Sequence, residues 1–284
     1  MTLIIILICA AIEHFTHQLN RIRRYNWLKQ YLLWFRRAFS NLDSTVTLLL
    51  ALSPIMILGL LLLANVNTTI WFILAIFTLS YSIGPQNTEI QVTDYCDALE
   101  RDDTEGAALY AEQLRHGQQS MSDTSQLNQH VINAILVNTN ERITAVIFWF
   151  LLLGPMGALL YRCSERATKY SNDDEQLQIL HESAQRLFFI LSWLPARLTA
   201  FSFALGGSMS DALHNWRNYQ CDWEQHYCDS NRGILICSGL GALQIAPDSA
   251  SNCLENVQFT LALANRALII WISFLAILSL AGYA

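Results

Sequence analysis

Charge is scarce in this chain. Only 14% of its residues are Asp, Glu, Lys or Arg, where soluble domains carry nearer a quarter. The shortage is local, with apolar runs alternating with acidic loops, which is the pattern of a polytopic membrane protein. Basic residues are scarcer still, 17 against 23 acids, for a net charge of −6. That balance argues against a nucleic-acid partner, because phosphate binding needs a basic face. Signatures of soluble catalysis are missing too. There is no G-x-x-x-x-G-K-[ST] phosphate loop, no H-E-x-x-H, no G-x-S-x-G and no kinase set. Gly239-Leu240-Gly241 is too short to be a dinucleotide fingerprint. The seven cysteines are odd in number and scattered, with no C-x-x-C pair, so they make neither a disulfide framework nor a zinc set. Cys221, Cys228, Cys237 and Cys253 lie in one region and could pair only if it faces an oxidising compartment. No metal, no cofactor and no catalytic residue is expected.

What the chain does have is apolar runs of membrane length. Ser44 to Ala64 is a clear span of about 30 Å as a helix, with Pro54 expected to kink it. Asn65-Val66-Asn67 turns the chain, and Thr68 to Ile83 returns, stopping at Gly84-Pro85. A third span covers about Ile143 to Tyr161 and a last one about Arg266 to Ala284. Leu187 to Leu205 is long enough to cross but carries Pro195-Ala196-Arg197 near its middle. A broken or re-entrant helix is as good a reading there as a full span. Met1 to Ile12 is a short apolar helix, retained at or in the membrane. The expectation is an all-α polytopic integral membrane protein, with four to six membrane-embedded helices and a small cytoplasmic helical region. It forms one membrane domain over 1–284, with a cytoplasmic helical insertion at 85–142 and an extramembrane loop region at 207–263.

Orientation follows from the basic residues. Phe15 to Asp43 holds Arg21, Arg23, Arg24, Lys29, Arg36 and Arg37 against the single acid Asp43, which places 15–43 in the cytoplasm. Trp27, Tyr31, Trp34 and Phe35 are interleaved with them, as in a helix lying on an anionic leaflet. The hairpin then returns the chain, so 85–142, with ten acids against three basic residues, is cytoplasmic as well. In it, Ile90 to Leu99 and Leu109 to Leu114 repeat at helical spacing, with Asp103 or Thr104 able to cap the second helix. No Gly or Pro interrupts Gln126 to Leu153, so one long helix could run into the third span. The side occupied by 207–263 and by the C-terminus depends on whether 187–205 crosses.

The polar residues worth attention sit at or in these spans. Glu141 and Arg142 enter the third, Arg162 leaves it, and Arg197 lies inside the next run. Arginine suits an anionic ligand because its planar fork grips carboxylate or phosphate through paired bonds. Interfacial anchoring is the commoner role for residues placed like Arg142 and Arg162, and an internal ion pair or hydrogen bond explains Arg197 as well as a ligand does. The candidate ligand site is therefore Glu141, Arg142, Arg162 and Arg197. Gly154-x-x-x-Ala158 reads as a helix-packing contact, and Pro155 would free a carbonyl that Arg197 could reach.

FWFLLLGPMGALLYR at Phe148 to Arg162 resembles a signature of the CobD/CbiB superfamily of membrane proteins, and LPARLTA at Leu194 to Ala200 resembles its second signature. Trp149, Gly154, Pro155, Gly157 and Pro195 are the structural residues of that resemblance. The basic N-terminal segment and YCDALERDDTEGAALYAEQL at Tyr95 to Leu114 are more similar to the AmpE branch. The enzyme branch joins an aminoalcohol unit to a corrinoid with ATP, making adenosylcobinamide phosphate. It carries a His-Pro pair where this chain has Glu13-His14 and His17, and an Glu-Asn…Asp-Gly motif where this chain has Asn140-Glu141-Arg142-Ile143-Thr144. It also places paired aspartates before Pro-Ala-Arg, where this chain has Phe188 to Trp193. Those acids would serve metal-bound ATP. The AmpE resemblance implies a multi-pass inner-membrane protein without established catalysis. It would modulate β-lactamase induction, the response to antibiotic and peptidoglycan recycling, sense an anionic wall-derived ligand, and have the lipid bilayer and a cytoplasmic anhydromuramyl-peptide amidase as partners. The alternatives are the cobinamide-type synthase itself and a component of a muropeptide transporter.

Overall fold

The computed structural model describes residues 2–15, 25–39, 42–64, 67–83, 88–114, 124–219, 227–245 and 254–280. Arg21, Arg23, Arg24, the Asn65-Val66 turn, Gly84-Pro85, His226, Cys221 and Cys253 lie outside them, as do the side chains of Glu13, His14 and Cys228. The elements are α1 (Thr2–Phe15), α2 (Asn26–Ala38), α3 (Ser44–Ala64), α4 (Thr68–Ser82), α5 (Thr88–Glu100) and α6 (Thr104–Leu114). Then come α7 (Thr124–Asn138), a π-helical turn (Thr139–Thr144), α8 (Ala145–Asp173), a 3-10 turn (Gln178–Leu180), α9 (His181–Gly206), α10 (Met209–Asn218), α11 (Tyr227–Leu243) and α12 (Leu254–Leu280). The protein is an all-α polytopic membrane protein. Among the described residues, four helical stretches are long and apolar enough to cross a membrane: Ser44–Leu61, Leu127–Asp173, Gln178–Gly206 and Leu254–Leu280, with α4 a shorter apolar helix. α9 runs unbroken through Pro195, so the broken-helix option for 187–205 is not taken. α12 begins before Arg266, leaving that arginine inside the helix, where its Nη1 donates to the Gly206 carbonyl at 3.3 Å.

Although the sequence reads as one membrane domain, the backbone packs as two compact units. One holds 1–85, 145–194 and 275–284, and the other 86–144 and 195–274.

In the first unit, α2 turns Leu28, Leu32 and Phe35 into a core shared with Leu48, Ala51 and Leu52 of α3 and Cys163 and Ala167 of α8. The Tyr25 hydroxyl donates to the Tyr81 carbonyl at 2.8 Å, the Trp27 indole to the Tyr81 hydroxyl at 2.9 Å, and the Tyr31 hydroxyl to the Ala51 carbonyl at 2.9 Å. Burial pushes the Tyr25 phenol well above its ordinary range. Lys29 pairs with Asp174 at 2.9 Å.

Prolines inside the apolar helices leave carbonyls four residues earlier without an N–H partner. The chain answers each in its own way. Ser53 Oγ donates to the Leu50 carbonyl at 3.1 Å, the one Pro54 cannot serve. Trp149 Nε1 donates to the Leu191 carbonyl at 2.9 Å, the one Pro195 cannot serve. At Pro155 the helix breaks outright. Gly154 takes φ 67°, ψ −157°, a backbone region open essentially to glycine alone. A Cβ on Gly154 would touch nothing within 4 Å, so backbone conformation and not the expected packing contact requires this glycine. The break folds the chain so tightly that a Cβ on Gly157 would collide with the Trp149 carbonyl.

In the second unit, Val92, Tyr95, Ala107, Val131, Ile135, Ala200, Phe203, Ile234 and Ala264 belong to one core. Asp103 caps α6, accepting from the Gly106 N–H at 2.9 Å. The buried Tyr95 hydroxyl donates to Asn128 Oδ1 at 2.8 Å, and burial raises its pKa. Residues 207–263 contain α10, α11 and the first part of α12. Asp211 of α10 accepts from Gln244 and Ser208, both at 2.7 Å, which holds its carboxyl below the usual range.

Candidate functional site

The second unit concentrates buried polar groups around the π-helical turn. Such a turn widens the helix by one residue and is common at functional sites. All of its residues except Ile143 are buried. Asn140 Oδ1 accepts from Thr144 Oγ1 at 3.2 Å and from Thr199 Oγ1 of α9 at 3.1 Å, and the two hydroxyls are 2.7 Å apart. Two hydroxyl protons serve three contacts, so at most two of the three bonds are made at any moment. Thr144 also approaches the Thr139 carbonyl at 3.4 Å.

The next residue, Glu141, is 4% exposed and meets an arginine that the sequence reading passed over. Arg232 of α11 donates Nε to Glu141 Oε1 at 2.8 Å and Nη2 to Oε2 at 3.4 Å, a side-on fork. One residue earlier, Asn231 accepts from Arg197 Nη1 at 3.2 Å. Arg197 thus bonds an amide on α11. α11 is held close to these groups because Ser238 donates to the Ala200 carbonyl at 2.8 Å and Gly239 admits the Leu136 side chain. The Ser230 hydroxyl is fully buried with no hydrogen-bond partner among the described residues.

Three members of the expected site, Glu141, Arg142 and Arg197, thus fall in this unit with Arg232 and Asn231. Arg162 falls in the other. It is 1% exposed and enclosed by its own partners: Nε donates to the Ser82 carbonyl at 2.5 Å, and Nη1 pairs with Glu165 at 3.0 Å. Glu165 also pairs with Arg166 at 3.3 Å, whose guanidinium lies 5.4 Å from the centre of the Tyr25 ring. Glu165 stands three residues beyond Arg162, a helical neighbour visible in the sequence. Arg232 and Asn231 had no such signal, because they sit in a region without a clear apolar period.

Among the described residues no three His, Cys, Asp or Glu side chains gather as a metal site. Glu141 and Arg232 form one ion pair, the hydroxyl and amide groups of Asn140, Thr144 and Thr199 cluster on the same turn, and Arg197 bonds the residue before Arg232.

The comparisons with known proteins point one way. The chain is 30% identical over 135 residues to "Cobalamin biosynthesis protein CobD" of Stutzerimonas stutzeri, covering 45% of this chain and 43% of that protein. It is 30% identical over 125 residues to the protein of the same name from Chromobacterium violaceum, covering 44% and 39%. It is 28% identical over 177 residues to "Probable cobalamin biosynthesis protein CobD" of Thermococcus kodakarensis, covering 61% and 59%. The matched segments span less than half of the first two relatives. No solved structure matches the chain. These relatives overturn the expectation of an AmpE-like modulator of β-lactamase induction. The motifs at Phe148–Arg162 and Leu194–Ala200 mark the wider superfamily, and nothing matched is specific to AmpE. The amidase partner was implied by that branch alone and is not carried further. The match to CobD/Cbib protein runs over residues 5–248, most of the chain, and the chain belongs to that family.

Proposed function

We propose that this protein acts in cobalamin biosynthesis, as a membrane-embedded protein of the kind that makes adenosylcobinamide phosphate. The observation that carries the reading is the family match over 5–248, together with relatives named for cobalamin biosynthesis. The candidate site is Glu141, Arg142 and Arg197, joined by Asn231, Arg232 and the Asn140–Thr144–Thr199 cluster. Its excess of guanidinium over carboxylate supports binding of an anionic group, phosphate or carboxylate, on a substrate of that pathway. Glu141 keeps Arg232 oriented, and the hydroxyl–amide cluster sets the shape of the turn that presents Glu141 and Arg142. The acids of the enzyme branch that would serve metal-bound ATP have no counterpart at Phe188 to Trp193. The protein would sit in the plasma membrane, with residues 15–43 and 85–142 on the cytoplasmic side.

The test is complementation. A strain lacking its own CobD-type protein, made dependent on cobalamin synthesis, is given this chain at a verified membrane level. Growth without added cobalamin supports the reading. Failure to grow, with the chain present and folded in the membrane, removes it.

A further inference from the structure

The α2 helix presents one face to the protein and a very different one outward. Leu28, Leu32 and Phe35 are buried. On one flank of that face, Trp34 is 62% exposed and Trp27 41%, and Phe39, just past the helix, is 42% exposed. Trp27 and Trp34 are seven residues apart and so share one stripe. Tyr31 lies beside that stripe, its ring 6.3 Å from that of Trp34. The helix carries Lys29, Arg36 and Arg37 and no acid.

Where this stripe lies is fixed by contacts within the first unit. α3 begins at Ser44 and α4 ends at Ser82, so both polar ends of this apolar hairpin fall on the same side. Tyr25 and Trp27 bond to Tyr81, one residue from the end of α4. Tyr31 bonds to the Ala51 carbonyl, about 10 Å along α3 from its start. Lys29 and Arg37 bond to Asp174 and Gln176, in the turn that follows α8. α2 is therefore pinned where three apolar helices reach their polar ends. Tryptophan and tyrosine favour that level of a bilayer, and cations beside them are drawn to an anionic leaflet.

We infer that the outward face of α2 is an interfacial lipid-binding surface. In it, Trp27 and Trp34 on one flank seat in the headgroup boundary, and Arg37, with Arg36 on the other flank, selects anionic phospholipid. The occupant is the bilayer and not a soluble protein, because the neighbouring surface at this level is the lipid-facing side of α3, where Leu49 and Leu50 are exposed. The inference is independent of the cobalamin reading.

The full chain is reconstituted into vesicles of phosphatidylcholine with or without phosphatidylglycerol. Subtracting the emission of a Trp34→Phe protein isolates Trp34, and its exposure means the substitution leaves the fold intact. The expected result is that lipid brominated high in its acyl chain quenches Trp34 at least twofold more than lipid brominated near the chain end, while aqueous iodide has little effect. Strong iodide quenching with no bromolipid effect would overturn the inference and give this face to a soluble partner. In native mass spectra, Arg36→Gln with Arg37→Gln should lower retention of phosphatidylglycerol relative to phosphatidylcholine about threefold. Because Arg37 also bonds Gln176, Arg36→Gln alone is the control and should give part of that loss. An unchanged lipid preference in both proteins would remove the charge selection.

Discussion

Trp149 donates its indole N–H to the carbonyl of Leu191 at 2.9 Å, and Pro195 is the reason that carbonyl is open to it. Trp149→Phe should cost about 1–3 kcal/mol, the penalty of a buried polar group left unpaired. In a Pro195→Ala background residue 195 regains an N–H, and the same Trp149 substitution should cost much less. Thermal unfolding of the four proteins in nanodiscs measures the coupling; equal losses in both backgrounds would contradict this account.

Gly154→Ala should destabilise the protein by about 1–3 kcal/mol, since its φ of 67° and ψ of −157° suit no other residue. Gly157→Ala should be at least as damaging, because the new methyl would meet the Trp149 carbonyl, a backbone atom that cannot turn aside. Melting temperatures rank the two.

Glu165→Gln should destabilise more than Arg166→Gln. Removing the shared carboxylate leaves Arg162, 1% exposed, without its ion-pair partner, a loss on the scale of about 3–5 kcal/mol for a buried pair. Removing Arg166 leaves the Arg162–Glu165 pair in place. The order of melting temperatures decides this.

If complementation succeeds, Glu141→Gln and Arg232→Ala should each lower it more than tenfold at matched protein level, because the fork between them orients Arg232. Thr199→Val should have a smaller effect, removing one hydroxyl from a cluster that keeps a Thr144–Asn140 bond. Growth rate against residual cobalamin in the medium gives the scale.

Stability should fall on acidification. The hydrogen bond from Lys29, then that from the Gln176 N–H, holds the Asp174 carboxyl below its ordinary range. A lowered folded pKa contributes stability that is fully present above the ordinary value, about 3.9. That contribution is lost as pH falls through the folded one. Asp174→Asn should remove part of the decline in melting temperature below about pH 4.

Much of the fold was legible because apolar length and helical period are local signals. Ser44–Ala64 emerged with the expected bounds, and Asp103 capped α6 as its position beside an apolar period suggested. The site was legible only in half. Glu141, Arg142 and Arg197 drew attention as charges at or in apolar runs, but their partners Arg232 and Asn231 occupy a helix whose polar and apolar residues are mixed. Gly154 looked like a packing residue because spacing alone does not reveal a positive φ. The superfamily was legible from two motifs, while the branch was not, since those motifs belong to the shared scaffold.

The buried arginine of the first unit also bears on the order in which the chain is made. An arginine in a lone inserting helix costs up to about 2.5–3.5 kcal/mol, the value at the helix centre. The distant partners of the Arg162–Arg166 cluster, Tyr25 and Ser82, are both synthesised before it, and Glu165 follows within one turn. A nascent chain entering the membrane from its N-terminus can therefore shelter Arg162 as soon as it arrives. Glu141 has no such advantage, because Arg232 emerges 91 residues later. The first cluster can close during insertion, and the candidate site is completed only when α11 is in place.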